Sequence, residues 1–166
     1  MKTKMKVNCL IMDVDGTLTD GKIYMGINGE LMKAFSVKDG HGIRVLHSQY
    51  GVTPVVLTGR ESPIVQNRCK ELKIKNLYQG VKDKVAIVRE CVERFSPGVV
   101  TYMGDDANDL AAIQYVNAHG GISACPADAF ENIQREVTFI CPHKGGDGAV
   151  RDFVEYLISN DLVDPE

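Results

Sequence analysis

Residues 7–17, VNCLIMDVDGT, decide the fold that we predict for this chain. The apolar run over residues 7–14 is short and is broken by Asp13, which is typical of a strand buried on both faces of a parallel sheet. Regular strand geometry would place the carboxylates of Asp13 and Asp15 on one face, where they repel. A divalent cation would relieve that repulsion, and Gly16 lets the backbone turn away. Taken alone, the pattern also fits an ordinary strand end followed by a turn.

The rest of the chain alternates between predicted strands and helices. Further strands are predicted at residues 53–57, 76–78, 99–103, 120–123 and 138–140. Helices are predicted at residues 42–50, 64–72, 109–116 and 149–158, with another along an apolar face at residues 85–95. This alternation predicts a doubly wound α/β fold with a mostly parallel sheet. A hairpin at about residues 22–37, with strands 22–25 and 31–37 around a loop at 26–30, predicts a flap over the ligand-binding edge.

Composition limits the classes of function. The chain has 166 residues with a net charge of −3, 44% hydrophobic and 25% charged, which predicts one globular domain over residues 1–166. The slightly negative net charge does not favour binding to nucleic acid or to anionic lipid. No apolar run predicts a membrane span or a secretory signal. Five cysteines without a C-x-x-C motif favour reduced thiols and a cytoplasmic location over disulfides or zinc.

A second acidic cluster, GDDAND at residues 104–109, follows the strand at 99–103. The predicted topology places it at the same sheet edge as Asp13. Acidic residues in such a place are solvated or bind a hard cation such as Mg²⁺. An EF-hand is excluded, since Leu110 stands where its glycine belongs.

Thr58 and Lys84 complete the pattern. Thr58 follows the strand at 53–57, and its hydroxyl and neighbouring amides, with an ammonium from Lys84, are suited to phosphoryl oxygens. Taken singly, Thr58 is better explained as a helix cap and Lys84 as a solvated surface charge than as binding residues. In the joint order Asp-x-Asp, Thr, Lys, Asp-Asp-x-x-Asp, they indicate phosphoryl-transfer chemistry.

These four motifs resemble those of the haloacid dehalogenase-like phosphatases, and in particular the small capless subgroup that acts on sugar acids. The similarity covers nearly the whole chain and is carried by DVDGTLTDG (13–21), IYMG (23–26), NGE (28–30), KAFSVKDGHGIR (33–44), TGR (58–60), RC (68–69), YQG (78–80), Lys84, GDD (104–106) and GGDGAVR (145–151). The resemblance implies a Rossmann-like fold without a cap domain.

The resemblance also implies roles for the motif residues. Asp13 is the nucleophile that forms an aspartyl-phosphate, and Asp15 protonates the leaving oxygen and then activates water. Thr58 and Lys84 bind the phosphoryl group. Mg²⁺ is held by Asp13, the Asp15 carbonyl and Asp105, with Asp106 and Asp109 in support.

The implied substrate is the phosphomonoester of a 3-deoxy keto-sugar acid. Arginine forks suit its carboxylate. Arg60 favours the eight-carbon octulosonate 8-phosphate, and a nine-carbon nonulosonate 9-phosphate is the alternative. For Arg44 and Arg68, plain exposure on helix surfaces is an equal alternative. The implied substrate contacts are Asp15, Ser36, Val37, Lys38, Asp39, Gly40, Arg44, Gly59, Arg60, Arg68 and Lys84.

The resemblance further implies a homotetramer in which hairpins and C-terminal segments of neighbours close the sites. The KGGDGAVR segment (144–151) matches the C-terminal element, although Asp147 stands where arginine is frequent. An anion-binding nest is a weaker interpretation of this glycine-rich loop.

Two other classes remain as alternatives. A response-regulator receiver would carry an aspartate after its third strand, where this chain has Gln79-Gly80-Val81. A catalytically silent assembly domain would not need Asp13, Asp15, Lys84 and Asp105 together.

Overall fold

The structure, a computed structural model, describes residues 5–166; residues 1–4 of the predicted domain lie outside the described part. The elements in chain order are β1 (Val7–Met12), β2 (Tyr24–Gly26), β3 (Gly29–Met32), α1 (Val37–Tyr50), β4 (Thr53–Leu57), α2 (Pro63–Glu71), β5 (Asn76–Tyr78), α3 (Lys84–Phe95), β6 (Val99–Met103), α4 (Leu110–Ala118), β7 (Ile122–Cys125), α5 (Glu131–Gln134), β8 (Phe139–Ile140) and α6 (Ala149–Ser159). Short helical turns at Val14–Leu18 and Ala107–Asp109 follow β1 and β6.

The main sheet has six strands in the order β5-β4-β1-β6-β7-β8, and all its neighbours pair in parallel. The antiparallel pair β2-β3 stands apart between β1 and α1. The predicted doubly wound α/β fold with a small hairpin is therefore confirmed. Within residues 5–166, no helix is long and apolar enough to cross a membrane.

Two apolar cores explain why residues 9–12 of β1 are all apolar. Leu10 packs in one core with Ile43 of α1 and Phe153 of α6. Ile11, the next residue, packs in the other core with Val88 of α3. Successive side chains of a strand point to opposite faces, and full burial of each such side chain contributes about 1.5–3 kcal/mol.

Several element boundaries differ from the prediction. The hairpin is tighter than residues 22–37, because Gly26 pairs with Gly29 and the turn needs only Ile27 and Asn28. Helix α1 begins before residue 42, because the Ser36 hydroxyl accepts a hydrogen bond from the Asp39 backbone N–H at 3.4 Å and caps it. Strand β1 ends at Met12 instead of residue 14, and α5 was not predicted.

Candidate active site

A pocket lies at the carboxyl edge of the sheet, where β1, β4 and β6 end side by side. It is lined by Asp13, Asp15, Gly21, Thr58, Gly59, Arg60, Asp105, Asp106 and Asn108. Residues predicted from three separate motifs therefore meet at one place, as expected for loops that follow adjacent parallel strands. Lys84, the first residue of α3, lies directly behind Asp13.

Asp13 and Lys84 form a buried ion pair. The Asp13 backbone N–H donates to the Met103 carbonyl at 3.0 Å, which keeps Asp13 beside the end of β6. Its Oδ1 accepts a hydrogen bond from Lys84 Nζ at 2.9 Å, and the two residues are only 4% and 5% exposed. Burial, and then the charge of Asp109, raise the pKa of Asp13 well above its usual range, while Lys84 acts in the opposite direction.

Asp109 organises the acidic cluster. Its Oδ1 accepts hydrogen bonds from Lys84 Nζ at 2.8 Å and from the Tyr102 hydroxyl at 2.6 Å. Its Oδ2 accepts from the backbone N–H groups of Asp105 at 3.0 Å and Asp106 at 3.3 Å. Four donors occupy this fully buried carboxylate, so it orients its neighbours. Tyr102 was not predicted as a site residue, because in the sequence it is one more residue of a buried strand.

One oxygen of the Asp105 carboxylate lacks a hydrogen-bond partner among the described residues. This oxygen, Oδ1, is buried. Burial, and then the charge of Asp109, raise the pKa of Asp105 to about 7. Gly16 allows this approach, because a Cβ there would lie 1.9 Å from Asp105 Oδ2, and its φ is +88°.

The acidic cluster fits a divalent cation. Carboxylate oxygens of Asp13, Asp105 and Asp109 all lie within 4.8 Å of one another. Burial, and then repulsion between the carboxylates, raise the pKa values of Asp13 and Asp105, and one buried oxygen of Asp105 is unpaired within the described part of the chain. A hard cation coordinated by these oxygens would stabilise their charged forms. Since the oxygens of Asp109 already have their donors, Asp13 and Asp105 are the better ligands.

Thr58 and Arg60 form the opposite wall. The Thr58 backbone N–H donates to the Tyr78 carbonyl at 2.9 Å, and its hydroxyl accepts from the Arg60 N–H at 3.4 Å. Thr58 is buried, whereas the Arg60 side chain is 52% exposed and lies 3.9 Å from Glu30 Oε2. A loosely paired guanidinium at the pocket wall is suited to an anionic substrate.

The other predicted substrate contacts lie elsewhere in this chain. A second depression is lined by Val37, Gly40, His41, Arg44, Arg68, Glu71 and Leu72. Arg68 donates to the Ser36 carbonyl at 3.2 Å and to Glu71 at 2.8 Å. The Asp39 carboxylate is buried and accepts from the Arg151 N–H at 2.9 Å, in the first turn of α6. The structure therefore does not bring these residues to the Asp13 pocket, and their contact with substrate stays a prediction.

The hairpin reaches the pocket through residues to which the sequence assigned no role. Lys33 Nζ donates to Asp15 Oδ1 at 2.6 Å. Ser62, the residue before α2, makes no side-chain cap hydrogen bond, and it donates its hydroxyl to Glu30 Oε1 at 2.6 Å.

The glycine-rich loop before α6 packs against the turn that follows Asp15. Gly146 N–H donates to the Thr17 carbonyl at 3.2 Å, and Gly145 N–H donates to Asp128 Oδ1 at 3.0 Å. These amides are used within the chain, which disfavours the anion-nest interpretation.

Known proteins were compared with the chain. No family model matches. The 3-deoxy-D-manno-octulosonate 8-phosphate phosphatase KdsC of Escherichia coli K12 is 38% identical over 154 residues, which cover 92% of this chain and 79% of the relative. The KdsC protein of Yersinia pestis is 37% identical over 154 residues, covering 92% and 80%.

A solved structure from Moraxella catarrhalis, a phosphatase of the same name in complex with a magnesium ion, a phosphate ion and a KDO molecule, superposes with a TM-score of 0.84. It is 32% identical, and the match covers 94% of this chain and 89% of that one. The expected resemblance is thereby confirmed: the chain belongs to the 3-deoxy-D-manno-octulosonate 8-phosphate phosphatase family of haloacid dehalogenase-like enzymes and is a phosphoric monoester hydrolase.

Proposed function

We propose that this enzyme removes phosphate from 3-deoxy-D-manno-octulosonate 8-phosphate, with Mg²⁺ as its cofactor. The observation that carries the proposal is the pair of Asp13 and Lys84 at the back of a pocket that also presents Asp15, Thr58 and Arg60. The named activity and bound ligands of the relatives support the choice of substrate and metal.

Mg²⁺ would be held by Asp13, Asp105 and the Asp15 carbonyl, and would neutralise charge on the phosphoryl oxygens. Asp13 attacks phosphorus through a carboxylate oxygen, and the bond from phosphorus to the sugar oxygen breaks. Asp15 gives its proton to that leaving oxygen. A water then attacks phosphorus and loses a proton to Asp15, which releases inorganic phosphate and restores Asp13. Thr58 and Lys84 would bind the phosphoryl oxygens throughout, and Lys84 would also neutralise Asp13.

Arg60 would select the sugar acid. A guanidinium binds a carboxylate through two parallel hydrogen bonds, and Arg60 is the exposed cation on the pocket wall. A nine-carbon nonulosonate 9-phosphate carries the same carboxylate, so it remains the alternative substrate.

We further propose that the enzyme is a homotetramer. The hairpin exposes apolar side chains, with Met25 64%, Ile27 102% and Leu31 69% exposed, and such a patch suits a second copy of the chain. In that assembly, Arg44 and Arg68 of the second depression would serve a neighbour's site. Replacement of Ile27 by Asp should lower the mass measured by light scattering, and an unchanged mass would count against the hairpin interface.

The cytoplasm is the proposed location. All five cysteines are free and buried, which suits a reducing compartment.

Phosphate release with Mg²⁺ tests the substrate. The panel contains octulosonate 8-phosphate, two nonulosonate 9-phosphates and simple hexose phosphates. Asp13→Asn is the inactive variant, and Asp164→Asn, an exposed aspartate far along the chain, is its matched control. Preference for the eight-carbon acid phosphate supports the proposal, whereas preference for a nine-carbon acid phosphate would show that the alternative substrate is the right one. No release from any substrate by the folded, Mg²⁺-bound enzyme would favour the silent assembly domain.

A further inference from the structure

Lys33 is a cation with a buried side chain that contacts the active site from the segment directly after the hairpin strand β3. Its side chain is 1% exposed, and its Nζ lies 2.6 Å from Asp15 Oδ1 and 3.0 Å from Glu30 Oε2. Burying an ammonium is unfavourable unless it is paired with opposite charge. Two carboxylates at hydrogen-bond distance supply that pairing for Lys33. Lys33 lies in the irregular segment between β3 and α1, where no helix or sheet pattern requires a buried lysine.

Glu30 anchors this lysine to the body of the protein. Its Oε1 accepts a hydrogen bond from the Ser62 hydroxyl at 2.6 Å, at the start of α2. The Ser62 backbone N–H is in turn fixed to Gln79 Oε1 at 2.9 Å. A continuous chain of hydrogen bonds therefore runs from α2 through Glu30 and Lys33 to Asp15, and it crosses the base of the hairpin.

Asp15 depends on this chain for its orientation. Within residues 5–166, Lys33 is the single hydrogen-bond donor to the Asp15 carboxylate, which is 21% exposed at the pocket wall. Asp15 lies where the chain turns away from β1, directly before Gly16 with its positive φ. Without Lys33, the carboxylate could rotate away from the leaving oxygen.

We propose that Lys33 is a positioning residue for Asp15, and that Glu30 holds Lys33 in place. The proposal rests on the aspartyl-phosphate chemistry given above, in which Asp15 protonates the leaving group. Glu30 also keeps the Lys33 ammonium paired while Asp15 carries that proton, so the transfer never leaves a buried charge alone.

The test compares leaving groups. Sugar alkoxide needs a proton from Asp15 to depart, whereas p-nitrophenolate departs without one. The value of kcat/KM reports the steps up to departure of the leaving group, so the later attack of water does not affect it. Lys33→Met keeps the length of the side chain and removes the charge, and Lys22→Met alters an exposed lysine that lies two residues before β2.

For Lys33→Met we expect kcat/KM on octulosonate 8-phosphate to fall about 10- to 100-fold while p-nitrophenyl phosphate changes less than about threefold. Glu30→Gln should show the same contrast more weakly, and Lys22→Met should show none. Equal losses on both substrates, or no loss on either, overturn the proposal.

A crystal structure of Lys33→Met gives an answer that does not depend on activity. The Asp15 carboxylate should leave its wild-type position, and an unmoved carboxylate overturns the proposal. A wild-type enzyme that cleaves hexose phosphates instead of the sugar acid would refute the proposed substrate only, since any alkyl phosphate serves in the comparison.

Discussion

Replacing Tyr102 by Phe should destabilise the protein and loosen its catalytic lysine. The Tyr102 ring is fully buried in β6, and its hydroxyl donates to Asp109 Oδ1 at 2.6 Å. Phe fills the same space, so the substitution removes one hydrogen bond to a buried carboxylate and little else. Asp109 Oδ1 would then depend on Lys84 alone, and Lys84 would be drawn away from Asp13.

The magnitude follows from the charge of the acceptor. A hydrogen bond to an ionised group is worth about 1.5–3 kcal/mol, and we expect that loss in the free energy of unfolding. For a domain of this size the melting temperature should drop by about 3–12 °C. Because the shift of Lys84 affects the phosphoryl pocket more than the sugar site, kcat should fall more than KM rises.

Urea denaturation and steady-state kinetics measure both effects at one protein concentration. Tyr156→Phe is the control, since its ring stacks on Phe139 at 4.3 Å and its hydroxyl makes no hydrogen bond within residues 5–166. A Tyr102→Phe protein as stable and active as the control would refute the role given to Asp109.

Three further results are expected. Because the pKa of Asp13 is raised and that of Asp105 is about 7, protons compete with Mg²⁺ for these carboxylates. Calorimetry should therefore show the affinity for Mg²⁺ rising from about pH 5.5 to 7.5, and an affinity that does not change with pH would contradict this. Asp39→Ala removes the acceptor at the start of α6 and should lower the unfolding free energy by about 0.5–2 kcal/mol in urea, and an unchanged stability would contradict this capping role. Phe153→Ala opens a cavity in one core and should lower the unfolding free energy by about 3–5 kcal/mol in urea, so a loss below about 1 kcal/mol would count against this core.

The local sequence pattern was sufficient to predict individual strands. The strands at 53–57, 76–78 and 99–103 were predicted with the observed bounds, because each is a short apolar run between turn residues. The meeting of Asp13, Thr58 and Asp105 followed from topology, since adjacent parallel strands end at one edge.

Contacts between residues that are far apart in the chain could not be predicted from the sequence. The partner of Asp39 is the backbone of Arg151, which is 112 residues away, and no local periodicity connects them. Lys33 lies outside any helix or strand, so no periodic pattern in the sequence predicts its contact with Asp15. A serine directly before proline is typical of a helix N-cap, yet the Ser62 hydroxyl donates to Glu30, which is 32 residues away.

The charges of the acidic cluster explain why the site requires a divalent cation. Among residues 5–166, the carboxylates of Asp13, Asp105 and Asp109 face a single ammonium, that of Lys84, which leaves two negative charges when all four groups are ionised. A dianionic phosphomonoester would be repelled by that excess. A divalent cation held by Asp13 and Asp105 would balance it, whereas a monovalent ion would leave one charge uncompensated. Asp109 already accepts four hydrogen bonds, so Asp13 and Asp105 would be the residues that hold the cation, and both line the pocket that the phosphoryl group must enter.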